Sequence, residues 1–161
     1  MTPKFIELPE KKIVGLGTKF ISILFPGGNS MNVIPPLWGK FMSQIGAVQH
    51  RVGQAVLGVV EPLSAQGEFF YIAAAEVSDF SGTPKDMLQR TIPAGRYASF
   101  THKGKLETLR DTMRGIYSDW LPKSGCRRRK APDLEIYDHR FAIGSDQSEF
   151  DILIPVEAEH A

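Results

Sequence analysis

Residues 11–25, KKIVGLGTKFISILF, are dense in Ile, Val, Phe and Thr. The run predicts a long strand, bent at Gly15 or Gly17, with Pro26-Gly27-Gly28 closing it. Leu37, Trp38, Phe41, Met42 and Ile45 then fall on one helical face, behind two prolines suited to a first turn. A helix is expected from about Pro35 to Val48. Two apolar runs, 54–61 (QAVLGVVE) and 68–77 (EFFYIAAAEV), read as strands joined through Pro62 to Gly67.

After the polar segment 78–93 the pattern returns. Residues 94–101 predict a short strand. KLETLRDTMRGIYSDWLP predicts a helix carrying Leu106, Leu109, Met113, Ile116, Tyr117 and Trp120, with Pro122 just beyond its end. Strands are expected at 133–139 and 148–156, around a turn at Gly144-Ser145. EFFYIAAAE at 68–76 and EFDILIPVE at 149–157 hold equivalent places in the two halves, about 1–78 and 92–158. The expected fold is α+β: a tandem β-α-β-β repeat in one domain, an antiparallel sheet with two helices on one face. Such a plan leaves a central groove between the helices, a favourable place for a ligand.

One carboxylate stands out in this pattern. Alternation along DLEIYDH points Leu134 and Ile136 one way, and Glu135 and Tyr137 the other. Glu135 therefore faces either solvent or a cavity, and alternation does not choose between them. In a cavity, desolvation raises its pKa unless a cation compensates, which suits cation capture or general acid–base work. Trp38 and Trp120 lie one on each predicted helix, with Tyr117 one turn before Trp120; they serve as core or as the walls of an aromatic groove. Glu76 ends an apolar strand and shares a face with Phe70 and Ile72, a strand-end charge or a secondary pocket group.

Composition narrows the classes. Of 161 residues, 42% are hydrophobic and 23% charged, and 19 basic against 18 acidic residues leave a net charge of +1. That balance favours neither nucleic acid nor an anionic membrane as partner. One cysteine, Cys126, leaves no intramolecular disulfide framework and no multi-cysteine metal site. The four histidines, His50, His102, His139 and His160, show no ligand spacing, so neither metal nor cofactor is expected. Phosphate-binding glycine motifs and a nucleophile elbow are absent. The run Cys126-Arg127-Arg128-Arg129-Lys130 reads as a solvated loop. With no signal-peptide pattern and no run of about 18 apolar residues, a soluble cytoplasmic protein is expected.

IVGLGTKF, IPPLWGKFM, FFYIAAAEV, TIPAGRYASFTHKG, IYSDWLPKSG, LEIYDHRF and FDILIPV occur in that order along nearly the whole chain. Together they resemble the GyrI-like small-molecule-binding domain, the effector-binding domain of AraC- and MerR-type regulators. The resemblance implies an SHS2-like duplication with a central cavity. It also implies an acid at the cavity base, here Glu135, that meets flat hydrophobic or cationic ligands. Tyr137 and Phe150 are implied on the same cavity face, and Trp38 and Tyr117 at aromatic helix positions. Because the pattern begins within a few residues of Met1, a stand-alone form without direct DNA binding is expected, suited to multidrug binding or xenobiotic detoxification. Two alternatives stand beside sequestration. One is a hydrolase of cyclopropane-containing genotoxins using Glu135, with Tyr71, Tyr117 or Tyr137 as a second polar group. The other is an interaction module with gyrase as partner.

Overall fold

In the computed structural model, which describes residues 1–158, the elements run β1 (Lys4–Leu8), β2 (Lys11–Ile21), α1 (Ser30–Gln44), β3 (Arg51–Pro62), β4 (Glu68–Val77), β5 (Leu88–Ile92), β6 (Gly95–Lys103), α2 (106–123), β7 (Cys126–Arg128), β8 (Asp133–Tyr137) and β9 (Glu149–Ala158). The strands form one antiparallel sheet in the order β1-β6-β9-β8-β3-β4-β2-β5, with β7 added to the end of β9. Strands β3 and β8 meet at the centre, and the β-α-β-β pattern lies on either side of them. The fold class is thus the α+β arrangement expected, with the sheet curled into a half-barrel.

The curl has a cause in the chain's connections. Strand β1 pairs with β6 and β5 pairs with β2, so each leading strand lies on the opposite flank from the strand that follows it. Leu8 faces Gly95 and Lys11 faces Ile92, which brings the short links at Pro9-Glu10 and Pro93-Ala94 side by side. Two residues span at most about 10 Å between their neighbours, so the two edges of the sheet must come together.

Both faces of the sheet are buried. Ile13, Leu57, Val59, Ile72, Ile92, Tyr97, Leu134 and Leu153 fill the inner face, and Ile6 and Leu8 of β1 pack against them. On the outer face Phe41 of α1 packs on Val14, Tyr71 and Ala73, while Ile116 of α2 packs on Phe100, Phe150, Ile152 and Ile154. Two-sided burial explains why EFFYIAAAEV is apolar at nearly every position instead of alternating.

Several boundaries differ from the expectation. Strand β2 stops at Ile21, because Ser22–Phe25 turns back on itself through a bond from Phe25 N–H to the Ser22 carbonyl. The first helix starts at Ser30, ahead of Pro35. The Asn29 carbonyl accepts its first bonds, and the missing Pro35 and Pro36 N–H groups spare only carbonyls on the exposed residues Met31 and Asn32. Strand β5 lies in the polar segment expected to be loop, and β7 in the basic run. In that run Arg127 pairs with Glu157 at 2.8 Å, Arg129 lies 5.0 Å above the Tyr97 ring, and Arg128 is partly buried, so it is not a solvated loop.

Asn29 also holds the end of β2: its Oδ1 accepts the Ile21 N–H at 2.7 Å. Asn29→Ala is expected to cost about 1 kcal/mol. In thermal denaturation that should lower Tm by about 2–4 °C. An unchanged Tm would mean that water replaces the bond without loss.

Candidate functional site

The groove between the helices is a cavity of about 490 Å³. Ile34 of α1 walls one side, and Leu109, Met113 and Tyr117 of α2 the other. The floor is Val60 of β3, Phe69 and Tyr71 of β4, Asp133 and Glu135 of β8, and Ile152 of β9. The turn Ser22–Phe25 closes one end, so residues with the composition of a strand's tail form part of the cavity wall.

Helix α2 changes its winding where it meets the cavity. An α-helical turn (Leu109–Arg114) passes into a π-helical stretch (Gly115–Trp120) and then a final turn (Leu121–Lys123). Pro122 lies inside that last turn, not beyond it. A helix restarting after the wide stretch tolerates proline near its new beginning. The π-helical bonding also rotates Trp120 away from Tyr117. Tyr117 lines the cavity, whereas Trp120 packs 5.0 Å from Phe100 and 6.3 Å from Phe5 and lines no part of it.

Glu135 is the hub of the floor. The Tyr71 hydroxyl donates to its Oε1 at 2.6 Å and the Tyr137 hydroxyl donates to the same oxygen at 2.9 Å. Trp38 Nε1–H donates in turn to the Tyr71 oxygen at 2.8 Å. Among the described residues no hydrogen bond reaches Oε2. Burial pushes the Glu135 carboxyl above its ordinary range, against the pull of the two hydroxyls. Burial and the adjacent carboxylate push both tyrosines well up, so they act as protonated donors.

The aromatic groups stand behind this carboxylate as much as around the cavity. Tyr137 stacks on Phe150 at 4.7 Å and meets Trp38 edge-on at 5.4 Å. Trp38, Tyr137 and Phe150 therefore brace Glu135 from behind, while Tyr71 and Tyr117 reach the cavity itself. Glu76 lies elsewhere. Even-numbered positions of β4 face the inside of the curl, and Glu76 pairs there with Lys11 at 3.1 Å, across the sheet from Glu135. It is not a cavity group.

Two further positions matter, and neither carries a local sequence signal. Gly58 sits in β3 opposite both Ala73 and Glu135. A Cβ there would stand 2.3 Å from the Tyr71 hydroxyl and 2.5 Å from Glu135 Oε1. Glycine is what lets those two groups meet. Asp133, two residues before Glu135, shares the cavity face and pairs with Arg128.

Among the described residues, no group of three or more His, Cys, Asp or Glu is placed to hold a metal. His102 is buried between Thr112 and the Lys105 carbonyl, and His160 lies outside the described residues. Among the described residues no helix is long and apolar enough to cross a membrane.

The chain is similar to several known proteins. The chain is 29% identical over 157 residues to the transcriptional regulator BrlR of Pseudomonas aeruginosa, covering 97% of this chain and 56% of that protein. It is 36% identical over 66 residues to the probable transcriptional regulator YgiV of Escherichia coli K12, covering 40% of this chain and 41% of that one. The chain thus spans about half the length of the curated relatives it matches. In fold it resembles SAV2435, solved bound to tetraphenylphosphonium, with TM-score 0.77 and 18% identity over 98% of this chain and 94% of the other. It also resembles a hydrolase from Listeria innocua, with TM-score 0.54 and 14% identity over 97% and 92%. The model of the GyrI-like small-molecule-binding domain matches residues 1–157, and with the half-barrel and its inter-helix cavity this establishes that the chain belongs to the GyrI-like family.

Proposed function

We propose that this domain captures flat, lipophilic cations in the cavity between α1 and α2, with Glu135 as the counter-charge. The observation that carries the reading is the split role of that carboxylate. Its Oε1 is fixed by two tyrosine hydroxyls, while Oε2 accepts no hydrogen bond among the described residues and lies at a mostly apolar cavity. A desolvated carboxylate without a cationic partner is costly, and a guest bearing a delocalised charge relieves that cost. Tyr117 and Phe69, with the edge of Phe20, offer aromatic surface for the same guest. The tetraphenylphosphonium bound by a protein of this fold is a guest of that type.

Titration calorimetry with tetraphenylphosphonium across pH tests the reading. Only the ionised carboxylate attracts the cation, so affinity should fall about tenfold per pH unit below the pKa of Glu135 in the free protein. Because burial raises that pKa, the fall should begin at a higher pH than for a surface glutamate. Affinity independent of pH through the acidic range would remove Glu135 from the role. A second reading, hydrolysis of a reactive guest, draws on the same raised carboxyl and on the hydrolase of this fold. Chemical conversion of a guest in catalytic amounts would favour it over capture.

A further inference from the structure

Three charged side chains line the cavity among the described residues: Glu135, Asp133 and Arg128. Asp133 and Glu135 occupy alternate positions on β8, about 7 Å apart along an extended strand and on one face. Without compensation they would present two negative charges to any guest. Arg128 prevents this. It reaches from β7, and its Nη2 donates both to Asp133 Oδ1 and to the Ala131 carbonyl, the latter at 3.1 Å. The Asp133 side chain is only 11% exposed, and burial together with the nearby Glu135 pushes its carboxyl well above the ordinary range, so it is the adjoining guanidinium and not water that holds its charge. Glu135, by contrast, meets only neutral hydroxyls.

We propose that the Arg128–Asp133 pair sets the number of charges the cavity accepts. By neutralising Asp133 it leaves one uncompensated carboxylate, so the site selects guests with a single positive charge and rejects dications of the same shape. The proposal rests on the cation reading above and narrows it to a ligand class. A second positive charge in the cavity would face a guanidinium and a carboxylate whose charge that guanidinium already balances, and would be desolvated without return.

Two probes of one biaryl outline separate the cases: 1-methyl-4-phenylpyridinium, a monocation, and 1,1'-dimethyl-4,4'-bipyridinium, a dication. The wild-type chain should bind the monocation at least about tenfold more tightly, the scale of one unpaired charge at this separation. Arg128→Met keeps the aliphatic stem and frees Asp133, and should shift the ratio toward the dication by about tenfold or more. Asp133→Asn leaves Arg128 unopposed and should weaken the monocation by a similar factor. Adding Asp133→Asn to Arg128→Met should restore the wild-type preference. Equal wild-type affinity for both probes overturns the proposal with no variant needed. So does an unchanged ratio in folded Arg128→Met, or an unchanged monocation affinity in Asp133→Asn. Failure of the wild type to bind either cation, or tetraphenylphosphonium, overturns the cation reading itself.

Discussion

Replacing Glu135 by Gln is expected to weaken a bound lipophilic cation by roughly 10- to 100-fold, the 1–3 kcal/mol scale of a charged partner in a desolvated site. The substitution keeps the shape and the hydrogen bonds. The amide oxygen accepts from Tyr71 and Tyr137 where Oε1 now does, and the amide nitrogen takes the place of Oε2, which bonds nothing among the described residues. What disappears is the charge. Burial raises the Glu135 pKa in the folded state, so the folded protein holds that proton more firmly than the unfolded chain. Its contribution to stability is therefore most favourable below the unfolded pKa and is lost as pH rises from there through the raised value. An amide does not titrate and has no such slope. Chemical denaturation across pH should show the variant at least as stable as the wild type at neutral pH, with a flatter profile. Unchanged cation affinity with the altered profile would keep Glu135 as a half-buried titrating group but remove it from recognition.

Gly58→Ala is expected to disable the site from behind. The added Cβ would lie 2.3 Å from the Tyr71 hydroxyl and 2.8 Å from the ring carbon that bears it. Tyr71 is fully buried, wedged against Trp38 and Phe20, so the ring cannot swing aside freely. Moving it breaks the chain from Trp38 through Tyr71 to Glu135. Overpacking together with the lost hydrogen bonds should cost about 2–4 kcal/mol, against a gain of under about 1 kcal/mol from replacing glycine in a strand. Cation affinity should fall at least about tenfold, with a change in Trp38 emission as its indole loses its acceptor. A variant of wild-type stability and affinity would show that the sheet relaxes around a methyl group at the central strand pair.

The sequence makes some of this legible and hides the rest for physical reasons. Strands β4 and β9 announce themselves because burial on both faces makes them apolar throughout. That same continuity conceals which face a residue occupies. Glu76 and Tyr71 sit on one strand, yet one faces Lys11 inside the curl and the other faces Glu135 under the helices. Alternation in β8 correctly sets Glu135 and Tyr137 apart from Leu134 and Ile136, but Tyr71 comes from 64 residues away and only the sheet order brings it close. The turn Ser22–Phe25 continues a strand-like composition, and only the fold, by giving it a cavity to close, tells it from strand. Arg128 reads as one member of a basic run; its difference from Arg127 lies in the direction its strand pairing sends it.

The two short links at Pro9-Glu10 and Pro93-Ala94 bear on how a guest enters. Each flank of the sheet carries at its edge a strand that the other flank's chain continues from, so neither is a free-standing leaf. Prying the molecule open along the β3–β8 seam would also strip β1 from β6 or β5 from β2. The two flanks are therefore tied to each other through both edges as well as along the seam. Admission of a guest falls to the parts outside the strand ladders: α1, the wide-wound stretch of α2 and the turn at Ser22–Phe25 beyond the Ser22 N–H bond to the Gly67 carbonyl.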